Sequence, residues 1–186
     1  DTYNKILAYS SIGQEGYIAM GFAIGNFYGL VGAILHIVSH AFMKSGLFYT
    51  SGALKFRYGI HETSQLGQIY KDMPVTSLTM CVCALSMIGL PPFAGFFSKW
   101  YLALGAVQNG QYVFVAVLIA SSLLSAIYFF RVMEKMFMDK KTAKEKENLH
   151  RLRRSELPWQ IIVPMIVTIC AVIFLVAYTV YAASSV

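Results

Sequence analysis

"PVTSLTMCVCALSMIGLPPFAGFFSKWYLALGAV", residues 74–107, is an apolar run with two prolines in its middle and one lysine in its second half. As one straight helix these 34 residues would reach about 50 Å. That is too long for one ordinary crossing of a bilayer and too short for two crossings with a turn. Charge separates the alternatives. If the run crosses once, Lys5, the loop at 55–72 and the loop at 139–158 all fall on one side. That side then gathers Lys55, Arg57 and Lys71 with Lys140, Lys141, Lys144, Lys146, Arg151, Arg153 and Arg154, while the other keeps the turns "NFY" and "QNGQ" and the tail "AASSV". Basic loops are retained on the cytoplasmic side, which favours a single crossing. The surplus length then implies two helical pieces joined by a break at Pro91–Pro92.

Working outward, four more apolar stretches are long enough to span a membrane: 6–25, 28–54, 112–138 and 159–182. The expected fold is an all-α polytopic membrane protein with five transmembrane helices. Residues 1–138 are expected to hold the first four of these spans, 139–158 a basic cytoplasmic loop, and 159–186 the final helix. The totals agree. The 186-residue chain is 57% hydrophobic and 13% charged, where a soluble domain carries about 25% charged residues, and its mean hydropathy is +0.58. The net charge of +6 sits between apolar segments, so it reads as topology and not as a nucleic-acid surface. Cys81, Cys83 and Cys170 all lie inside apolar runs and read as small buried hydrophobes. The chain starts on "DTYNKILAYS" with no initiating Met and no signal or transit pattern. It is expected to be part of a larger membrane unit, either a fragment or a split subunit.

The break itself carries chemistry. Pro91 and Pro92 lack amide hydrogens, so carbonyls near residues 87–89 lose helical partners, and Gly89 and Gly95 let the backbone bend. In hydrocarbon such carbonyls must face protein or water, and broken helices of this kind mark ion sites in transporters. A structural kink is the plainer alternative. Lys99 argues for the ion site, because an uncompensated charge at mid-membrane costs about 2.5–3.5 kcal/mol even on the gentler scales. His36, His40 and Lys44 add to it: their i, i+4, i+8 spacing places all three on one stripe of the 28–54 helix. Imidazole takes a proton on one nitrogen and releases one from the other, and an amine withdrawn from water changes charge near working pH. Lys44 and Lys99 thus read as proton stores, with His36 and His40 passing protons between them. Glu15 stands near the middle of the first span as a counter-ion, a cation ligand or a neutral hydrogen-bonded acid. Arg131, Glu134 and Lys135 read as interfacial anchors, and "GFAIG" (residues 21–25) as a close helix contact.

Three segments together resemble the antiporter-like membrane subunits shared by respiratory complex I, membrane-bound hydrogenases and multi-subunit sodium/proton antiporters. "KILAYSSIGQEGYI" is similar to that family's K-R-L-L-A-Y-S-S-I-S-Q-I-G-Y opening, "ILHIVSHAFMKSGLF" to its H-L-x-x-H-A-x-F-K-A-L-L-F helix, and "LSMIGLPPFAGFFSKWYL" to its L-S-L-x-G-x-P-P-x-x-G-F-x-S-K broken helix. Order and spacing agree from Lys5 to about Met138. The resemblance implies a fold of about fourteen helices with two inverted five-helix repeats, of which this chain holds most of the second repeat plus the final helix. It also implies that Lys44, His36 and His40 match the central lysine–histidine helix and Lys99 the charged residue of the broken one. Glu15 replaces a usually apolar position and inherits no family role. "FSKWYL" leans towards the antiporter or hydrogenase branches.

The expected function is ion translocation: protons, with sodium as the alternative, moved along a Lys/His axis inside a multi-subunit complex. That complex is an oxidoreductase of the NADH dehydrogenase or hydrogenase type, or a cation/proton antiporter. The chain has no GxGxxG after a strand, P-loop, CxxC pair or nucleophile elbow, so no cofactor is expected in it and any redox chemistry belongs to peripheral partners. Further partners are other integral membrane subunits and lipid; nucleic acid is not one. The expected location is a prokaryotic cytoplasmic membrane, with the mitochondrial inner membrane as the alternative. Two readings from other classes compete: a structural scaffold without conduction, and a haem subunit ligated by His36 and His40. On one helix at i, i+4, however, two histidines point to the same side and cannot hold opposite faces of one haem.

Overall fold

Helix follows helix along the described part of the chain. The computed structural model describes residues 3–59, 66–67, 69–138 and 159–184, and the basic stretch expected at 139–158 lies outside them. The elements are α1 (Tyr3–Ile24), α2 (Phe27–Tyr58), α3 (Ile69–Asp72), α4 (Pro74–Ile88), α5 (Ala94–Gln108), α6 (Tyr112–Met138) and α7 (Trp159–Ser184). The class is all-α. By length and composition α2, α6 and the Trp159–Tyr181 part of α7 could each cross a membrane.

The 74–107 run is two helices, as its prolines predict. Pro74 opens α4 at a position where a missing N–H leaves nothing unpaired. α4 stops because Gly89 turns left-handed (φ +87°) and gives its N–H to the carbonyls of Leu85 and Ser86, both at 3.1 Å. Pro91 and Pro92 occupy the loop, joined by a cis bond, and α5 starts at Ala94. Elsewhere the helices outrun the apolar segments. α1 begins at Tyr3, and α2 continues through Lys55 and Arg57 to Tyr58. Lys55 and Arg57 suit the negative end of the helix dipole, and Gly59 (φ +66°) closes it with an N–H to the Lys55 carbonyl at 2.9 Å.

α2 is the hub, packing on α1, α4, α5 and α7. Its contacts with α1 and α5 depend on missing side chains. A Cβ on Gly21 would sit 2.7 Å from that of Ala33, and one on Gly105 2.7 Å from the Gly29 nitrogen. Within "GFAIG" only Gly21 serves that packing; Gly25 (φ +72°) makes the α1–α2 turn instead. Beside this turn, Asn26 caps α2 by accepting the Gly29 N–H (2.8 Å) while its amide donates to the Gly105 carbonyl (2.8 Å) and to Asn109 (3.2 Å). Asn109 in turn donates to the Ile24 carbonyl at 2.6 Å. This pair of asparagines ties the α1–α2 turn to the end of α5.

The buried apolar side chains form two clusters. One includes Leu7, Met43, Leu47, Met80, Met87, Phe129, Val132 and Met165; the other is Tyr17, Ile24, Leu102, Ala106 and Leu118. On α1, Ser10 and Gln14 fall between Leu7 of the first and Tyr17 of the second. On α6, Ser122 and Ser125 fall between Leu118 of the second and Phe129 of the first. Along these two helices a polar segment thus separates the two apolar clusters, and Lys99 and Lys44 bond to its serines, Ser122 and Ser10.

Candidate functional site

The ammonium of Lys99 answers the break. From the second turn of α5 its side chain runs past Gly89, where a Cβ would come within 2.9 Å of Lys99 Cδ. Its Nζ donates to the carbonyls of Met87 (3.0 Å) and Ile88 (2.9 Å), two groups left without helical partners at the end of α4. The third hydrogen goes to Ser122 Oγ of α6 at 3.1 Å. The ring of Tyr17 lies 4.8 Å from the nitrogen, a cation–π contact from α1. Four elements therefore meet on one buried amine, 5% exposed.

His36 adjoins this centre from α2 and is fully buried. Ser98 Oγ lies 2.9 Å from His36 Nδ1 and 3.0 Å from the Gly95 carbonyl. When its hydrogen goes to the carbonyl, the hydroxyl accepts from Nδ1–H and Nε2 carries the lone pair; when it goes to Nδ1, Nε2 carries the proton. That Nε2 has no hydrogen-bond partner among the described residues, and neither has Nε2 of His40 or Oε1 of Gln14, all shielded from solvent. The Tyr17 ring stands edge-on to His36 at 5.4 Å, and the two imidazoles stack nearly parallel (6.1 Å, 5°). Parallel rings facing the same way suit a relay and not two ligands on opposite faces of one haem.

Lys44 marks the other end of the α2 stripe. It is 7% exposed, donates to Ser10 Oγ at 2.7 Å and to the Leu7 carbonyl, and has the Phe48 ring 5.9 Å away. Lys44, His40 and His36 thus lead along α2 towards Lys99. Glu15 projects from the exposed side of α1, within electrostatic range of His40 and Lys44. Gly95 presses on the carbonyl of Ser86, which a Cβ there would overlap, and its N–H points to Ser86 Oγ at 3.3 Å. Pro91 and Pro92 shape the loop without touching these donors.

The site also uses Tyr17 and Ser10, which with Ser11 and Gln14 make the first helix polar enough in sequence to border water, and Ser98 and Ser122, which the sequence does not single out. Serine and tyrosine are ordinary in membrane helices, so none carries a charge signal. Ser122 and Ser125 share a face of α6 at i, i+3.

The chain is similar to known proteins over most of its length. The family described as "NADH:quinone oxidoreductase/Mrp antiporter, TM" matches residues 2–125. The NADH-quinone oxidoreductase subunit N of Desulforudis audaxviator is 47% identical over 169 residues, covering 88% of this chain and 34% of that protein. Among solved structures, the membrane-bound sulfane sulfur reductase, an archaeal respiratory membrane complex, superposes with a TM-score of 0.82 at 27% identity, over 94% of this chain and 28% of that one. The Mrp complex from Dietzia sp. DQ12-45-1b gives a TM-score of 0.70 at 32% identity, over 74% of this chain and 26% of that one. The chain spans about a third of the length of the curated relatives it matches. Proteins of both the quinone oxidoreductase and the Mrp branch are similar to the chain. With its apolar helices and this match over most of its length, the chain is an integral membrane protein of the NADH:quinone oxidoreductase/Mrp antiporter transmembrane family.

Proposed function

We propose that this chain is the proton-handling C-terminal part of an antiporter-like subunit in a multi-subunit membrane complex. Lys44 and Lys99 store protons, and His40 and His36 pass them between the two. The observation that carries the reading is Nε2 of His36, buried, unpartnered among the described residues and next to a stacked second imidazole. A ring nitrogen held there at the cost of desolvation, as donor or acceptor, is useful when a proton or a water reaches it. In this reading residues 1–138 form the partial translocating unit, residues 74–107 make one broken crossing among five, and residues 159–186 supply the last. The Lys5 end of α1 and residues 55–72 and 139–158 then share the cytoplasmic side of a prokaryotic membrane.

Energy comes from partners, as the names of the relatives suggest: a redox module or a cation gradient. When a neighbouring charge shifts, one lysine releases its proton, which lowers the electrostatic cost of loading the other. Lys44→Met and Lys99→Met, each in the assembled complex in vesicles, are expected to reduce proton movement to background while subunit composition stays intact. Full transport in both variants would falsify the reading.

A further inference from the structure

Glu15 is left without a task by the proposed relay. Among the described residues the other acidic side chains are Asp72, at the end of α3, and Glu134, in the last turns of α6. Glu15 alone stands in the middle of a long apolar helix. Two contacts fix the register of that helix against α2. Lys44 reaches Ser10 Oγ at 2.7 Å, and the His36 ring meets that of Tyr17 at 5.4 Å. The two helices therefore run antiparallel, and His40, one turn from Lys44 and one from His36, falls between Ser10 and Tyr17, near the level of Glu15. The flank agrees with the level. Ile6, Tyr9 and Gly13 line a space against α6, whereas Ser11 and Glu15, at i and i+4, share the opposite flank of α1. Ser11 Oγ donates to the Leu7 carbonyl at 3.4 Å, the same oxygen that accepts from Lys44. The field of Glu15 is felt at His40 and Lys44, while no carboxylate among the described residues acts on Lys99.

We propose that Glu15 is the fixed counter-charge of the α2 stripe: it favours the cationic state at the Lys44 end over the Lys99 end, so that the proton rests at Lys44 between transfers. The proposal deepens the proton reading above and depends on it only for the use made of the charge. In every other respect the two amines are held alike. Lys44 has a hydroxyl and a carbonyl, and Lys99 has two carbonyls, a hydroxyl and an aromatic ring. All of these partners are neutral. An opposite charge nearby favours the ionised form of an amine, and poorly polarisable surroundings strengthen the effect. A carboxylate in an apolar layer is itself costly without a cation near it, so the benefit is mutual. Two otherwise similar stores become unequal, and a relay between unequal stores has a resting position.

The test uses the assembled complex in membrane vesicles and acetic anhydride, a small reagent that crosses membranes and acylates neutral amines only. Mass spectrometry reads the ratio of acetylated Lys44 to acetylated Lys99, two amines that are almost equally buried. Glu15→Gln keeps the size of the side chain and is expected to raise that ratio roughly three- to ten-fold, because the charge that held Lys44 in its unreactive form is gone. Glu15→Asp keeps the charge and is expected to keep the parent ratio. Ser11→Glu added to Glu15→Gln returns a carboxylate to the same flank, one turn away, and is expected to bring the ratio back down. Ile12→Glu added instead, from the exposed outer side of α1, is not. Proton transport follows the same order, several-fold slower in Glu15→Gln and close to the parent rate in Glu15→Asp. An unchanged ratio in Glu15→Gln, an equal rise in Glu15→Asp, or rescue by Ile12→Glu as good as that by Ser11→Glu overturns the counter-charge, and so does full transport in Glu15→Gln. If the ratios hold while Lys44→Met transports normally, the pairing of charges stands and the proton reading fails.

Discussion

An ammonium with three hydrogens needs three acceptors, and Lys99 finds two of them in the carbonyls that the Pro91–Pro92 break sets free. One defect therefore satisfies the other: buried carbonyls without donors and a buried cation without water would each cost several kcal/mol alone. The match depends on how closely α5 approaches α4, and that approach is set at Gly95. Gly95→Ala puts a methyl into the Ser86 carbonyl and is expected to destabilise the protein by about 1–3 kcal/mol, read by thermal unfolding in detergent. It should also weaken the lysine–carbonyl contacts and so lower transport. Lys99 and the His36–His40–Lys44 stripe could be picked out in the sequence because charge stands out in an apolar run. Ser122 could not, because its importance comes from the lysine that α5 brings to it, and nothing local records it.

Helix boundaries were less legible than helix existence. Apolarity marks what lipid touches, whereas hydrogen bonding marks the helix, and α2 keeps its ladder for a full turn beyond Leu54 through polar residues. The break was readable, since two prolines after a glycine leave the backbone few alternatives. The asparagine pair at the far end of α5 was not, because Asn26 and Asn109 lie far apart in sequence and meet only through packing. Asn26→Ala removes a helix cap and takes the shorter of two donors from the Gly105 carbonyl, leaving it the Asn109 N–H at 3.3 Å. The expected loss is about 1–2 kcal/mol in unfolding experiments, with a larger loss than for Asn109→Ala, since Asn26 serves two elements and also meets Asn109.

Across the whole molecule, burial is layered. Phe129 and Leu7 belong to one apolar cluster, Leu102 and Leu118 to the other, and Ser10, Gln14, Ser122 and Ser125 fall between them along α1 and α6. Phe129→Ala should cost about 3–5 kcal/mol in the same unfolding assay, the range for deleting a buried aromatic ring, because Phe129 is 1% exposed. Outward-facing Ile127 and Leu123 should tolerate substitution by other apolar residues with little change.

The layering has an electrical consequence. A potential of about 100 mV does about 2.3 kcal/mol of work on each elementary charge carried across a membrane. Greasy caps polarise poorly, so most of the voltage drops across them, and the polarisable slab between sits on a near-level plateau. Under the proposed function, exchange between the two amines would then respond less to voltage than the passage of a proton through each cap.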